Sequence, residues 1–366
     1  MAIISQADPS MRIARFRTEV DCAIAKTLSS RHYILGPALE SFEADFAAYL
    51  GVKHCVGVAS GTDALALSLR GMNIGEGDEV ITTALTAPGT AQAILHCGAV
   101  PRFVDIDPAS WCIDPVAVEA GITARTAAVV PVHLFGYPAD MSQLMKIAER
   151  HGLAVVEDCA HAHGAMLDGQ MLGSFGHAAA FSFYPTKNLG GIGDSGAIVT
   201  NDDHLAAELR RLRYYGIEGG QKESSTIGFN SRMDELQAAI LSVMLQHLDA
   251  GNAERRTLAG EYRQGLKGGA ILLPPDSSGA VYHQFAIAHR DRDRLAQTLY
   301  NQMDIQTAVH YYPPLHHHPA FRNAPMEQLS HCEWLSSHLL SLPIQPEVAS
   351  GNTGIISSNI LNVIGL

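Results

Sequence analysis

One lysine stands among glycines in the middle of the chain. The run from Phe181 to Gly196 reads FSFYPTKNLGGIGDSG, its lysine is Lys187, and strand-like segments, 178–184 and 197–200, lie on either side. A lysine displayed just after a buried strand can lose its proton and form a Schiff base, and glycines let a ligand approach the backbone. The pattern therefore indicates a nucleophile loop, although most lysines are solvated surface charges.

The glycines after the lysine also match a nucleotide-binding pattern. Residues 191–196 read GIGDSG, which fits the GxGxxG motif of dinucleotide-binding folds. That motif requires a helix directly after it, because the helix N-terminus binds the pyrophosphate. A strand-like segment follows here instead, so we reject a dinucleotide site.

A second segment has the features of an anion site. Residues 54–59 alternate like a strand, residues 63–69 have helical spacing, and the tripeptide from Ser60 to Thr62 joins them. The free N–H groups and the dipole at such a helix start suit a phosphate. Ser-Gly-Thr is also a common helix cap without any ligand. The phosphate interpretation is the stronger one only in combination with Lys187.

Strand-like and helical segments alternate over the first half of the chain. They lie at 79–83, 88–97, 101–105, 127–132, 141–151 and 153–157. This alternation predicts an α/β fold, a largely parallel sheet with helices on both faces. Ligands in such sheets collect at the carboxyl ends of the strands. Asp158 ends one of these strands, where it could hold a pyridine nitrogen protonated or simply cap a helix.

Composition limits the class of protein. The chain has 366 residues, 47% of them hydrophobic and 17% charged, with a formal net charge of -12. Its length predicts two domains, which we place at 1–249 and 250–366. The negative charge disfavours nonspecific binding to nucleic acid or anionic membranes. No apolar run reaches the roughly 20 residues of a membrane span, and no signal peptide is evident, so we expect a cytoplasmic protein.

The second half of the chain predicts a smaller α+β lobe. Residues 234–264 have one long helical pattern, which leaves the large domain near residue 249. Residues 307–311 are typical of a strand, and residues 332–340 of a helix.

Two groups of histidines raise the question of a metal site. His161 and His163 form a pair without a third ligand, and adjacent side chains in the triplet from His316 to His318 are expected to diverge. The six cysteines are scattered without CxxC spacing and indicate neither zinc nor disulfides. We therefore predict that the protein has no metal site.

The lysine run and several other motifs together resemble one family. The segment FSFYPTKNLGGIGDSGAIVT is similar to the lysine motif of the DegT/StrS family of pyridoxal-phosphate-dependent sugar aminotransferases. The other motifs, in family order, are ILGP at Ile34, SGTDAL at Ser60, PVHLFG at Pro131, EDCAH at Glu157, GFNSR at Gly228 and HYYPPLH at His310. The resemblance covers nearly the whole chain. It implies the aspartate-aminotransferase-like fold of fold type I pyridoxal-phosphate enzymes, with a small C-terminal domain, in a homodimer with shared active sites.

The resemblance also implies roles for individual residues. Lys187 matches the lysine that binds pyridoxal 5'-phosphate, Asp158 the partner of the pyridine nitrogen, and His161 the neighbour of the 3' oxygen. Other matches are Gly61, Thr62 and Ser182 for the phosphate and Asn230 for the residue from the other subunit. The side chains of His310, Tyr311 and His316 can donate hydrogen bonds to the hydroxyls and diphosphate of a substrate, although such residues also pack a small lobe without any ligand. Many relatives have an aromatic residue to stack on the cofactor ring where this chain has Ala87. What covers the ring is therefore open.

The predicted function is transfer of an amino group from glutamate or glutamine to a keto sugar. A nucleotide-linked 3- or 4-keto-6-deoxy sugar is the expected acceptor, because the resemblance is strongest to sugar-aminating relatives. Relatives that dehydrate sugars have histidine at the position of Lys187, so amino transfer is favoured. Two alternatives remain: amination of a keto cyclitol with related ring-forming chemistry, and a noncatalytic regulator, which would need neither Lys187 nor Asp158.

Overall fold

The computed structural model describes residues 3–219, 221–268 and 270–365. Its strands are β1 (His54–Val58), β2 (Glu79–Thr83), β3 (Val100–Val104), β4 (Thr126–Val129), β5 (Ala154–Asp158), β6 (Met166–Leu167), β7 (Gln170–Met171), β8 (Ala178–Ser182), β9 (Gly196–Thr200), β10 (Phe285–Ala288) and β11 (Leu339–Leu342). Seven of these form one sheet in the order β1-β9-β8-β5-β4-β2-β3, in which β9 alone runs antiparallel to its neighbours. The predicted α/β fold with a largely parallel sheet is confirmed.

Helices cover both faces of this sheet and build the C-terminal part of the chain. They are α1 (Pro9–Arg15), α2 (Arg17–Leu28), α3 (Pro37–Leu50), α4 (Gly61–Gly71), α5 (Pro88–His96), α6 (Pro115–Ala120), α7 (Met141–His151), α8 (Asp203–Leu212), α9 (Glu235–Gln246), α10 (Leu248–Gly265), α11 (Arg292–Met303), α12 (Ser330–His338), α13 (Pro346–Ala349) and α14 (Thr353–Ile364). The strands β10 and β11 pair antiparallel in a separate small sheet, against which α11 and α12 pack. Within the described residues, no helix is long and apolar enough to cross a bilayer.

Two predictions for the second half of the chain are wrong. The helical pattern over residues 234–264 is two helices, because the chain breaks between α9 and α10 at His247. Its ring stacks on Phe16 with the centroids 3.9 Å apart, which provides a tertiary contact at the break. The expected strand at 307–311 is reduced to one backbone bridge, between Ala308 and Ser341.

The core beneath the lysine run is aromatic. Phe181 and Phe183 alternate with Ser182 at the end of β8, so the two rings point to one face of the sheet and the serine to the other. Both rings meet Phe46 of α3 edge-on, with centroids 5.0 and 5.4 Å apart. The opposite face brings Ser182 against Gly61 at the start of α4. Strand alternation thus packs one face of β8 into the core and turns the other toward α4.

A buried carboxylate holds the end of β5 in place. Glu157 is fully buried and accepts hydrogen bonds from the backbone N–H groups of Gly173, Phe175 and Gly176 at 2.8 to 2.9 Å. Nδ1 of His133 accepts from a backbone N–H, so its Nε2 carries the proton and donates to Glu157 at 3.0 Å. Four donors therefore surround the Glu157 carboxylate, and they fix the strand end at the residue just before Asp158.

We expect Glu157→Gln to destabilise the protein strongly. The new amide NH2 would face donors, and at least one buried N–H group would lose its partner, at a cost of about 3 kcal/mol. This should appear as a drop of several degrees in the melting temperature. Glu149→Gln, on the exposed face of α7, is the matched control and should change it by about 1 °C or less. Equal melting temperatures for the two variants would contradict this role of Glu157.

Candidate active site

Lys187 lies in an irregular loop that leaves the carboxyl end of β8. Its N–H group donates to the carbonyl oxygen of Tyr184 at 2.8 Å, and Gly191 N–H donates to Phe183 at 2.9 Å. The lysine is half-buried. Burial lowers the pKa of its ammonium group from 10.5 to about 8, against the opposing effect of the Asp158 carboxylate. A substantial fraction of the amine is therefore neutral near pH 8, as a nucleophile requires.

Asp158 ends the neighbouring strand β5 and is 4% exposed. Its Oδ2 accepts from the hydroxyl of Thr90 at 2.8 Å, and its Oδ1 accepts from Ala160 N–H at 3.1 Å. Because Thr90 gives its proton to Asp158, Thr86 must donate to Thr90 across 3.0 Å. Burial raises the pKa of Asp158 above its ordinary value, against the smaller opposing effects of these bonds and of Lys187. The carboxylate is thus fixed in orientation, and each of its oxygens keeps a lone pair for a further donor.

The start of α4 forms a cradle for an anion. The Ser60 side chain caps the helix by accepting from Asp63 N–H at 3.0 Å, and among the described residues no partner accepts from the N–H groups of Gly61 and Thr62. A Cβ on Gly61 would lie 2.7 Å from the Cβ of Ser182. Only glycine therefore permits this close approach of α4 to β8. Free N–H groups at a positive helix end fit the phosphate of pyridoxal phosphate.

Three histidine rings lie close enough to Lys187 for its charge to act on them. Nδ1 of His161 accepts from Phe135 N–H at 3.2 Å, so its Nε2 carries the proton and faces the Tyr311 hydroxyl at 3.4 Å. The ring of His283 lies 4.4 Å from that of His161 between centroids. Burial, with the charge of Lys187, lowers the pKa of His161 and His283 well below 6.5 and that of His310 to about 4. These histidines are neutral at pH 7 and offer hydrogen bonds without charge.

The predicted substrate residues separate in the structure. His310 and Tyr311 join the cluster around His161, and Nδ1 of His310 lies 2.9 Å from the hydroxyl of Ser341. His316 instead turns its Nε2 toward Glu333 at 3.0 Å. Asn230 is exposed on the surface of the single chain, where its backbone pairs with Tyr214.

The comparisons with known proteins agree with this geometry. The family model described as the DegT/DnrJ/EryC1/StrS aminotransferase family matches residues 15–360. The chain belongs to this family. It is 48% identical to dTDP-3-amino-3,4,6-trideoxy-alpha-D-glucose transaminase of Streptomyces venezuelae, over 91% of this chain and 88% of that one. As a member of an aminotransferase family, the protein is an aminotransferase, and its fold is that of fold type I pyridoxal-phosphate enzymes.

Two solved structures are closely similar. S. venezuelae DesV in complex with a ketimine intermediate has a TM-score of 0.96 and 44% identity, and the alignment covers 100% of both chains. NtdA from Bacillus subtilis with bound cofactor PMP has a TM-score of 0.89 and 34% identity, over 95% of this chain and 82% of that one. The family and this neighbour imply a pyridoxal or pyridoxamine phosphate cofactor.

The sequence did not predict the role of two side chains, Arg12 and Asn188, that hold the Lys187 loop. The guanidinium of Arg12, on α1, donates to the carbonyl oxygens of Pro185 and Lys187 at 2.7 and 2.6 Å. It also donates to those of Asn188 and Gly190, both at 3.1 Å. Arg12 looks like any other arginine of an amphipathic segment, so no local signal could have identified it.

Asn188 fixes the loop from the other side. Its Nδ2 donates to Asn252 at 2.9 Å and to the carbonyl oxygen of Val281 at 3.0 Å. Its Oδ1 must therefore accept from Nδ1 of His283, 3.2 Å away. Nε2 of His283 is then a lone-pair acceptor, the opposite of His161 Nε2–H. The adjacency of Asn188 to Lys187 was the one signal that could have pointed to it.

We expect Arg12→Met to loosen the loop and expose Lys187 to water. The pKa of Lys187 should rise from about 8 toward its ordinary 10.5. The pH dependence of its modification by an amine-specific reagent, followed by peptide mass spectrometry, measures this without the cofactor. We expect kcat to fall by roughly 10- to 100-fold, since small displacements of a reacting group have effects of this size.

The matched control is Arg15→Met. Arg15 lies on the same helix, but its guanidinium pairs with Glu254 at the surface. It should leave both the pKa of Lys187 and kcat unchanged. An unchanged Lys187 pKa in Arg12→Met would show that the loop keeps its position without Arg12.

Proposed function

We propose that the protein is a pyridoxal-phosphate-dependent aminotransferase that moves an amino group from glutamate or glutamine to the 3-keto group of a nucleotide-linked deoxy sugar. The observation that carries this proposal is the pairing of a low-pKa lysine with a buried aspartate at the ends of adjacent parallel strands. The 48% identical relative, named as a transaminase of a dTDP-linked 3-amino sugar, supports the acceptor class.

The residues present fit the proposed cofactor. We assign its phosphate to the N–H groups of Gly61 and Thr62 with the hydroxyl of Ser182, and its ring nitrogen to Asp158. His161 Nε2–H is the donor for the 3' oxygen. When bound, pyridoxal phosphate supplies an aldehyde that exchanges amino groups and a ring that takes up an electron pair. The Asp158 carboxylate would keep the ring nitrogen protonated, which would make the ring a better electron acceptor.

Lys187 has two roles in this proposal. Its neutral Nζ is the group that would hold the cofactor through its aldehyde until an amino donor takes its place. With its amine free, Lys187 would accept the proton from the α carbon of the donor and pass it to the cofactor, and in the second half-reaction it would carry a proton back to the carbon that receives the amino group. A pKa near 8 suits both directions of transfer near neutral pH. Arg12 and Asn188 keep the amine in reach throughout.

Neutral side chains are available for the sugar. Tyr311, His310 and His283 lie beside His161 and can donate to or accept from hydroxyl groups. Burial and Asp158 raise the pKa of Tyr311, so its hydroxyl stays a donor at neutral pH. We propose these residues, rather than His316, as the ones that contact the acceptor, because His316 is engaged with Glu333.

We expect the enzyme to aminate a nucleotide-linked 3-keto sugar with glutamate or glutamine. The assay offers dTDP- and UDP-linked 3-keto and 4-keto sugars and free keto cyclitols, and follows the product by mass spectrometry. Lys187→Ala should lose the cofactor's visible absorbance and all turnover, whereas Lys146→Ala, at an exposed position on α7, should keep both. Turnover of free cyclitols alone would overturn the substrate class, and activity in Lys187→Ala would overturn the mechanism.

We further propose that the protein is a homodimer whose active sites are shared. Asn230 is exposed near large exposed side chains, among them Tyr214, Tyr215 and Ile227, the last of which is 75% exposed. A cluster of exposed apolar groups of this kind favours a protein interface. The partner's Asn230 would then reach the phosphate cradle at α4.

Mixing two inactive variants tests this arrangement. We expect heterodimers of Asn230→Ala and Lys187→Ala to recover activity, because one of their two sites then has both wild-type residues. Copurification of differently tagged subunits confirms that exchange took place. Verified heterodimers without activity would mean that Asn230 serves its own subunit or none.

A further inference from the structure

A cluster of two histidines and a glutamate lies outside the active site. His316 and His317 belong to a short 3-10 turn, Leu315–His317, and Glu333 projects from α12. The Nε2 atoms of the two histidines lie 3.0 and 3.6 Å from the same oxygen, Oε1 of Glu333. The expectation that adjacent histidine side chains diverge is wrong for this pair. The tight turn brings the ring centroids to 4.1 Å.

The spacing of these donors suits a metal ion. One ligand atom from each of the three residues lies within 4.8 Å of the others. Zinc bonds of about 2.0 to 2.2 Å to nitrogen and oxygen in a tetrahedron place neighbouring ligand atoms roughly 3.3 Å apart. The two distances to Glu333 lie on either side of that value. Two imidazoles and a carboxylate are a ligand set that zinc accepts, with a fourth position for water.

The state of the side chains also permits binding. Nδ1 of His316 is buried and has no hydrogen-bond partner among the described residues, so it can hold the ring proton when Nε2 binds an ion. His317 and Glu333 are 52% and 53% exposed, which leaves a path for an ion from solvent. Leu315 N–H donates to the carbonyl oxygen of Ala84 at 2.9 Å, and this contact holds the turn against the end of β2. The turn is therefore anchored before any ion arrives.

A second cluster with similar residue types shows the contrast. His133, Glu157 and Cys159 also lie within ligand distance of one another. Four hydrogen bonds already satisfy Glu157, and a backbone N–H binds the remaining lone pair of His133. All three residues are buried, so an ion would have to displace protein contacts without access to water. That cluster therefore has a structural role. The cluster at Glu333 differs because, in the described part of the chain, Glu333 has no such set of backbone donors and because His317 and Glu333 are open to solvent.

We propose that His316, His317 and Glu333 form a binding site for a divalent transition-metal ion of the zinc class. The ion binds Nε2 of His316, Nε2 of His317 and Oε1 of Glu333, and the proton that His316 Nε2 shares with Glu333 moves to Nδ1 of the same ring. It links the turn to α12 on the same loop that carries His310 and Tyr311. Binding therefore stiffens the segment beside the active site without entering it, and it is independent of the cofactor and of the reaction.

Equilibrium dialysis of the chelator-treated holoenzyme against Zn²⁺, with elemental analysis, tests the proposal. We expect one ion per chain and a higher melting temperature in its presence. His317→Ala and Glu333→Gln should each lower the affinity for Zn²⁺ by roughly tenfold or more. Mutating residues that only hydrogen-bond to metal ligands already has effects of this size, and these two variants remove ligands themselves. Both residues are half-exposed, so the metal-free variants should melt like the wild type.

The matched control is His318→Ala. His318 is the next residue of the triplet, but its Nε2 faces the carbonyl oxygen of Pro313 at 3.0 Å. This variant should bind zinc as the wild type does, and zinc-edge anomalous scattering from crystals should place the ion between His317 and Glu333. The proposal would be wrong if His317→Ala and Glu333→Gln still bound zinc, or if His318→Ala lost binding to the same extent. It would also be wrong if the wild type did not bind one ion per chain.

Discussion

The hydrogen bonds from Arg12 to four carbonyl oxygens of the Lys187 loop are the interaction on which the candidate active site depends. The loop has no regular secondary structure, so its carbonyl groups need partners from elsewhere. One guanidinium supplies them. The chain just before Arg12 is tied to the C-terminal part of the molecule, where Asp8 N–H donates to Gln345 at 2.8 Å and Gln6 to Gln284 at 2.7 Å. The N-terminal segment thus connects the Lys187 loop to residues next to β10 and β11 of the small sheet.

Hydrogen bonds to fixed backbone groups decide what the histidines of the site can do. Phe135 N–H makes His161 Nε2 a donor, and Asn188 makes His283 Nε2 an acceptor. Burial and the nearby lysine lower the pKa of both rings, so neither becomes cationic at neutral pH. A neutral pair of one donor and one acceptor suits hydroxyl and keto groups, and it leaves Lys187 as the cation among these groups. Burial of Lys187, against the opposing charge of Asp158, favours its neutral amine.

The fold brings these parts together by a general property of parallel sheets. Asp158 ends β5, the Lys187 loop leaves the end of β8, and α4 begins just after β1, so all three lie at one edge of the sheet. Ligands bind at that edge because helix N-termini and loops converge there. The C-terminal residues Tyr311 and His283 approach from outside the sheet and close the site against His161. Membership of the aminotransferase family agrees with this arrangement.

The sequence by itself determined several of the elements around the site and the two residues that indicate its chemistry. Periodicity alone predicted the strand Glu79–Thr83 and the helix Met141–His151 with their observed bounds, and it placed Asp158 at a strand end and Lys187 in a loop after one. These features depend on residues a few positions apart, so a local pattern contains them.

Only the tertiary structure decided how those residues are supported. Arg12 lies 175 positions before Lys187 in the chain, and Asn188 and His283 are 95 apart. No spacing records such contacts. The protonation of His161 and His283, the break at His247 and the convergence of His316 and His317 on Glu333 likewise depend on groups from other elements. Local sequence specifies which side chains are present, whereas packing between distant segments specifies their partners, and the partners set their charge and direction.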